Sequence, residues 1–266
     1  MIDCHAHVFS ADAPAIAGAR YRPAYAARLE DWKEAWREYE ITHGVLVQPS
    51  FFGANNREML EAIATDPRHL RGVAVVDAGI NDSQLDHLDA GGVCAIRWNL
   101  KGVPDYRAYA SAAWRGVLAR IHERGWHLEI YVDHGRLAAI EPALVGSPVA
   151  VVFDHFGNPG VEEASVRVTF SAVERLLDQR EVWVKLSAPY RLGAIDDAEW
   201  FADRWLEIAG PTRLVWGSDW PYTAFEANAS YGLMLRALDR WIEPDVRDAV
   251  LWDNACLLYT SDAADE

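Results

Sequence analysis

Short apolar stretches rich in Val, Ile, Leu and aromatic residues recur along the chain, and stretches with apolar residues at helical spacing separate them. The strand-like stretches are 1–5 (MIDCH), 43–49 (HGVLVQP), 71–77 (RGVAVVD), 93–99 (VCAIRWN), 127–133 (HLEIYVD), 149–156 (VAVVFDHF), 181–187 (EVWVKLS) and 213–219 (RLVWGSD). Helices are predicted near 25–40, 55–65, 82–90, 106–125, 135–144, 163–180, 195–209 and 225–241. In LEDWKEAWREYE the apolar residues return at helical spacing with charges between them. Asn55 is placed to cap the second helix, and Pro189, Pro211 and Pro221 punctuate loops.

Strands that alternate with helices build a parallel sheet. Eight such units predict closure into an α/β fold of the (β/α)8 TIM-barrel type, with an open doubly wound sheet as the alternative. The length of 266 residues suits one barrel domain, expected over 1–259. Residues 260–266 (TSDAADE) are small and acidic and are expected to form a disordered tail.

Composition narrows the functional classes. A net charge of −15 argues against a nucleic-acid footprint. It also means that an anionic substrate needs local arginines. Three cysteines, Cys4, Cys94 and Cys256, show no tight spacing and suggest reduced thiols. No basic start leading into an apolar run and no membrane-length apolar run is seen, so the expected location is the cytoplasm. Twelve tryptophans supply core bulk and could also wall a pocket for a small organic molecule. The oligomeric state is not legible in the sequence.

Chemistry in such barrels sits at the C-terminal ends of the strands, and reactive side chains fall there repeatedly. His5 and His7 lie at the end of strand 1, and residues two apart on an extended segment face the same way. Arg97 ends strand 4, Tyr131 strand 5, Asp154 and His155 strand 6, Lys185 and Ser187 strand 7, and Asp219 strand 8. Each has a plain alternative: Arg97 as a buried ion-pair residue, Lys185 reaching an acidic partner, Tyr131 in the core, Asp154 as a strand-end cap or a histidine's partner. Their concurrence at one face is more specific than any member. His122 and His127, at a helix-to-strand junction, are expected to be ordinary surface or packing residues, and His43, His69, His87 and His134 fall at element ends with no partner evident in the sequence.

The motifs DCHAHVF (3–9), YRPAY (21–25), GVLVQPSFFGANN (44–56), AIRWNL (95–100), FDHFG (153–157), VKLSAPYR (184–191) and GSDWPY (217–222) resemble the amidohydrolase superfamily. More narrowly, the chain resembles its amidohydrolase-2 branch of lactonases, from Ile2 to about Tyr259. The resemblance implies that Asp219 activates water and that His5, His7 and His155 surround the reacting carbonyl. It further implies that Arg97 and Arg191 hold substrate carboxylates and that Tyr131 contacts substrate. One departure stands out. The branch's pyrone-dicarboxylate lactonases carry a second arginine shortly after the one matched by Arg97, and Val103 takes that position here. Nearby Lys101 offers a point charge but no planar fork.

Hydrolysis of a lactone, bearing a carboxylate, by aspartate-activated water is therefore expected. The alternative is a zinc-dependent decarboxylase of the same superfamily acting on a small aromatic or muconate-type acid. A barrel that only binds a small acid is a third reading, disfavoured because burying four idle polar groups costs several kcal/mol. No cofactor is favoured. If a metal is present it is one Zn²⁺ held by His5, His7, His155 and Asp219, since imidazole and carboxylate both suit that ion. Phe51, Phe52, Trp98 and Tyr222 are candidate pocket walls.

Overall fold

Eight parallel strands form one sheet in sequence order in the computed structural model, which describes residues 1–12, 14–193 and 198–260. They are β1 (Ile2–Ala6), β2 (His43–Val47), β3 (Leu70–Ala74), β4 (Val93–Asn99), β5 (His127–Tyr131), β6 (Val151–Phe153), β7 (Val182–Ser187) and β8 (Leu214–Gly217). Every strand-like stretch in the sequence overlaps its strand; β1 ends one residue beyond its stretch and β3 begins one residue before its own. The helices between them are α1 (Leu29–Arg37), α2 (Arg57–Thr65), α3 (Asp82–Ala90), α4 (Ala112–Glu123), α5 (Glu141–Leu144), α6 (Glu163–Leu177), α7 (Ala198–Ala209) and α8 (Tyr231–Trp241). The first three residues of the helix expected over 195–209 lie outside the described residues, as does 261–266 of the expected tail. Thr260 is described and closes the last helix, its amide and hydroxyl both donating to the Cys256 carbonyl.

The sheet curls until β8 meets β1, which makes the architecture a TIM barrel. The Asp219 amide donates to the His5 carbonyl at 2.9 Å and the His7 amide to the Trp220 carbonyl at 2.8 Å. Asp3 staples this seam from the helix side. It accepts from the Ser218 amide and hydroxyl (2.8 and 2.6 Å), from Trp32 of α1 (3.0 Å) and from Tyr231 of α8 (2.9 Å). Gly217 is required here by close approach: a Cβ at that position would stand 2.5 Å from the Cβ of His5.

Alternation along the strands sorts the core into two layers. Leu46, Ile96, Trp98, Leu128, Ile130, Phe153 and Trp216 face the helices, whereas Val45, Val47, Val73, Ala95, Val152, Trp183 and Val215 fill the barrel. Beyond α8 the chain forms α9 (Pro244–Asp248), a π-helical turn (Ala249–Asp253) and α10 (Asn254–Tyr259), none of which the apolar pattern predicts. Ala255 and Tyr259 join the inner layer. The residue preceding α2 is Asn56 rather than Asn55, and its amide spans to Val75, donating to its carbonyl and accepting from its N–H; the Asn55 side chain still accepts from the Arg57 amide, the first of the helix, at 3.4 Å. No helix among the described residues is long and apolar enough to cross a membrane.

Candidate active site

His5, His7, His155 and Asp219 are buried and converge at the C-terminal mouth of the barrel. Their placement depends on irregular backbone at the strand ends. The register of β1 on β2 shifts between Asp3 and Ala6, so His5 leaves the strict alternation that sends Asp3 outward. After β6, His155, Phe156, Gly157 and Asn158 all have positive φ, and after β8 Asp219 has φ of 58°. Non-glycine residues rarely hold this conformation, and where they do it commonly serves a site.

Three imidazole Nε2 atoms surround one oxygen. Asp219 Oδ1 lies 3.6 Å from His5, 3.5 Å from His7 and 3.9 Å from His155. Its other oxygen, Oδ2, accepts from Tyr190 at 2.6 Å and from Arg191 Nε and Nη2 at 3.1 and 2.9 Å. Burial pushes the Asp219 carboxyl up, but the Arg191 charge and the facing imidazoles outweigh this and hold it well below the usual carboxylate range. Burial together with the Lys185 charge pushes His5 down to about 3, and burial lowers His155 in the same way. His7 donates from Nδ1 to the Val47 carbonyl at 2.7 Å, and His155 Nδ1 pairs with the Ser187 hydroxyl at 2.8 Å.

A second charged set lies beneath. Lys185 Nζ is 2.5 Å from Glu129 Oε1, 3.4 Å from Asp154 Oδ1 and 3.2 Å from His5 Nδ1. Glu129 Oε1 also accepts from Tyr259 at 2.9 Å, which ties the C-terminal helix to the barrel interior. Arg97 Nε donates to Asp154 Oδ2 at 2.8 Å. The Asp154 carboxyl, raised by burial but lowered more by Arg97 and Lys185, stays well below its usual range.

Tyr131 sits at the centre of a cationic mouth. Its ring stands edge-on to His155 at 4.8 Å, with Arg97, Lys101 and Arg191 5.6, 5.6 and 6.0 Å from its centroid. Its hydroxyl is buried and has no protein hydrogen-bond partner among the described residues. Arg97 pairs with Asp154, Arg191 with Asp219 and Lys101 with Asp133. Arg20, from the β1–α1 loop, does not follow this pattern. Its Nη2 donates to the neutral Asn99 Oδ1 at 3.0 Å, its Cδ would lie 3.1 Å from a Cβ on Gly102, and burial and its neighbours Arg97 and Arg191 depress its pKa.

Sequence reasoning assembled His5, His7, His155, Asp219, Arg97, Arg191 and Tyr131 at one face, and the structure places them there. It missed Glu129, Tyr190 and Arg20. A charge at an inward position of a strand, as in HLEIY, is a readable signal for Glu129; Arg20 lies in a loop and carries none. Trp98 is not a pocket wall, because it alternates with inward-facing Arg97 and packs outward on Trp114. Phe51 and Phe52 pack with Phe9 and Ala27 in a separate cluster, and Tyr222 belongs to the layer between barrel and helices. His127 is a packing residue, buried against Tyr259. A surface groove of about 1240 Å³ between α2 and α3, lined by Leu60, Ile80, His87 and Leu88 among others, shares no residue with the histidine–aspartate cluster.

The donor set fits a metal ion by type and spacing. His5, His155 and Asp219 each bring one ligand atom within 4.8 Å of the others. Tetrahedral ligands about 2.0–2.2 Å from zinc stand about 3.4 Å apart, close to the nitrogen–oxygen separations above.

Comparison with known proteins agrees with this architecture. The chain is 29% identical to a 2-pyrone-4,6-dicarboxylate hydrolase of Comamonas testosteroni, over 97% of this chain and 89% of the relative. It is 26% identical, with the same coverage, to a 4-sulfomuconolactone hydrolase of Rhizobium radiobacter. A crystal structure of a probable 2-pyrone-4,6-dicarboxylic acid hydrolase from Acinetobacter baumannii, with citric acid bound, superposes with a TM-score of 0.89 at 33% identity, covering 97% of this chain and 98% of that one. The amidohydrolase family model Amidohydro_2 matches residues 2–260, and the chain belongs to that family.

Proposed function

We propose that this protein hydrolyses a lactone that carries an anionic group. The observation that supports it best is the asymmetric Asp219 carboxylate: ionised, anchored through Oδ2, and presenting Oδ1 to three imidazoles beneath a cationic mouth. In this reading Asp219 Oδ1 takes a proton from water, and the water oxygen bonds to the lactone carbonyl carbon. The imidazoles face the oxygen on which negative charge develops. The ring C–O bond then breaks, and the leaving oxygen takes the proton from Asp219. Arg20, Lys101 and the outer edges of Arg97 and Arg191 hold the anionic group. The named relatives act on lactones, and one structural neighbour holds a tricarboxylic acid, which supports the same substrate class. The decarboxylase alternative has less support: a 5-carboxyvanillate decarboxylase from Sphingomonas paucimobilis matches at 14% identity and shares the fold alone.

If Zn²⁺ binds, His5, His155 and Asp219 would hold it and it would supply Lewis-acid polarisation of the carbonyl; His7, expected as a fourth ligand, lies outside that group of mutually close ligand atoms. Asp219 would then cease to be a free base. We favour the metal-independent route, because Asp219 is already ion-paired with Arg191 and hydrogen-bonded by Tyr190. The test is a hydrolysis screen of anionic and neutral lactones by proton release, on protein dialysed against a strong chelator, with the Arg20→Met variant alongside. Ring opening of anionic lactones by the metal-stripped protein is expected. Arg20→Met should raise KM for them roughly fivefold, as befits an exposed charge, and leave neutral lactones unchanged. Carbon dioxide release in place of ring opening would sink the proposal. Activity that vanishes and returns with stoichiometric zinc would reassign His5, His155 and Asp219 as ligands.

A further inference from the structure

We infer that Lys185 is a positioning residue that fixes the tautomer of His5 and so sets this site against holding a metal. The inference concerns the same cluster but depends only on proton positions. It stands or falls independently of the lactone screen.

Lys185 is fully buried, and its ammonium has three protons and no lone pair. Three acceptors surround it: Glu129 Oε1 at 2.5 Å, His5 Nδ1 at 3.2 Å and Asp154 Oδ1 at 3.4 Å. The contact with His5 is attractive only if Nδ1 is unprotonated. Neutral His5 must then carry its proton on Nε2, 3.6 Å from Asp219 Oδ1; both atoms are buried and neither has a hydrogen-bond partner among the described residues. That arrangement leaves the Nε2 proton beside Asp219 without a protein acceptor at hydrogen-bond distance, as a donor for the developing oxyanion.

A metal ligand needs the opposite. An imidazole that coordinates through Nε2 donates its Nδ1 proton to a carbonyl or carboxylate. His7 has that arrangement, with Nδ1 on the Val47 carbonyl. His5 has a carboxylate within reach as well, Asp154 Oδ1 at 3.4 Å from Nδ1, but the Lys185 ammonium stands against both atoms. Without Lys185, Asp154 would accept the Nδ1 proton and free Nε2 for a cation. Lys185 and Asp154 thus compete for one ring nitrogen, and the winner decides whether His5 is a hydrogen-bond donor or a ligand.

The decisive measurement is a long-range ¹H–¹⁵N correlation spectrum of the full, metal-stripped chain labelled at the histidine ring nitrogens, at neutral pH. His5 is assigned by the signals that disappear in His5→Gln. An Nε2-protonated neutral ring is expected, and an Nδ1-protonated or doubly protonated ring would overturn the assignment. As a second measurement, Lys185→Met combined with Glu129→Gln removes both buried charges together and strands neither. Zinc titration against a chromogenic chelator should show the double variant binding about 10–100-fold more tightly than the parent, the range over which outer partners tune metal ligands. Equal or weaker binding by the folded variant would refute the inference, and the spectrum of the unmodified chain decides it whatever the variant's fold.

Discussion

Arg191 holds Asp219 by one oxygen only: Nε and Nη2 reach Oδ2 at 3.1 and 2.9 Å, while Oδ1 is left facing the imidazoles of His5, His7 and His155. A carboxylate divided this way is ionised by one edge and available for chemistry at the other. Tyr190, also on Oδ2, completes the anchor.

This division predicts the behaviour of Arg191→Met. Loss of the guanidinium leaves burial as the dominant influence on Asp219, so its pKa rises. The acid limb of kcat/KM should move up by at least about one pH unit. An unmoved acid limb would show that Arg191 does not hold Asp219 in the working enzyme.

For Asp219→Asn we expect turnover to fall at least about a hundredfold, as for loss of a positioned base. An asparagine oxygen can still accept from Arg191 and Tyr190, so the thermal unfolding midpoint should change little. Near-normal turnover in the folded variant would exclude Asp219 as the base.

Arg97 carries a structural duty beside its place at the mouth. It is the guanidinium partner of fully buried Asp154. Removing one member of a buried pair costs about 3–5 kcal/mol. Arg97→Met should show that loss in urea unfolding, and Asp154→Asn in the same chain should restore part of it. An unchanged urea midpoint in Arg97→Met would mean that the pair contributes nothing to folding.

Stability should fall as the pH drops below neutrality. His5 is held at about 3 against an ordinary value of 6.5, and His155 and His127 are lowered in the same direction by burial. Between the folded and unfolded values the unfolded chain binds more protons, so stability rises with pH across that interval and is lost as pH falls through it. Each such histidine contributes up to about 1.4 kcal/mol per pH unit. Asp154 and Asp219, held low, add losses only below the ordinary carboxylate range. Urea midpoints of the metal-stripped protein should decline between neutral pH and about 5, and a flat profile there would mean that these rings are not held neutral.

The sequence by itself determined the barrel and the composition of its mouth. Strand and helix periods are local properties, and eight alternations of them leave few ways to bury both faces of a parallel sheet. Because a strand's last residues emerge at the same end of every β/α unit, His5, His155 and Asp219 could be placed together without knowing a single contact. Only the tertiary structure decided which charge answers which. Lys185 reaches His5 across 180 residues, and Glu129, in the middle of an apolar strand, finds both Lys185 and Tyr259. Those pairings follow from strand stagger and barrel closure, which no local pattern encodes. Family resemblance makes Arg191 a substrate clamp, yet it turns to Asp219 because a buried carboxylate demands a partner before any ligand arrives. Arg20 comes from a loop without periodicity, and its position over Gly102 exists only once the β1–α1 loop has packed across the mouth.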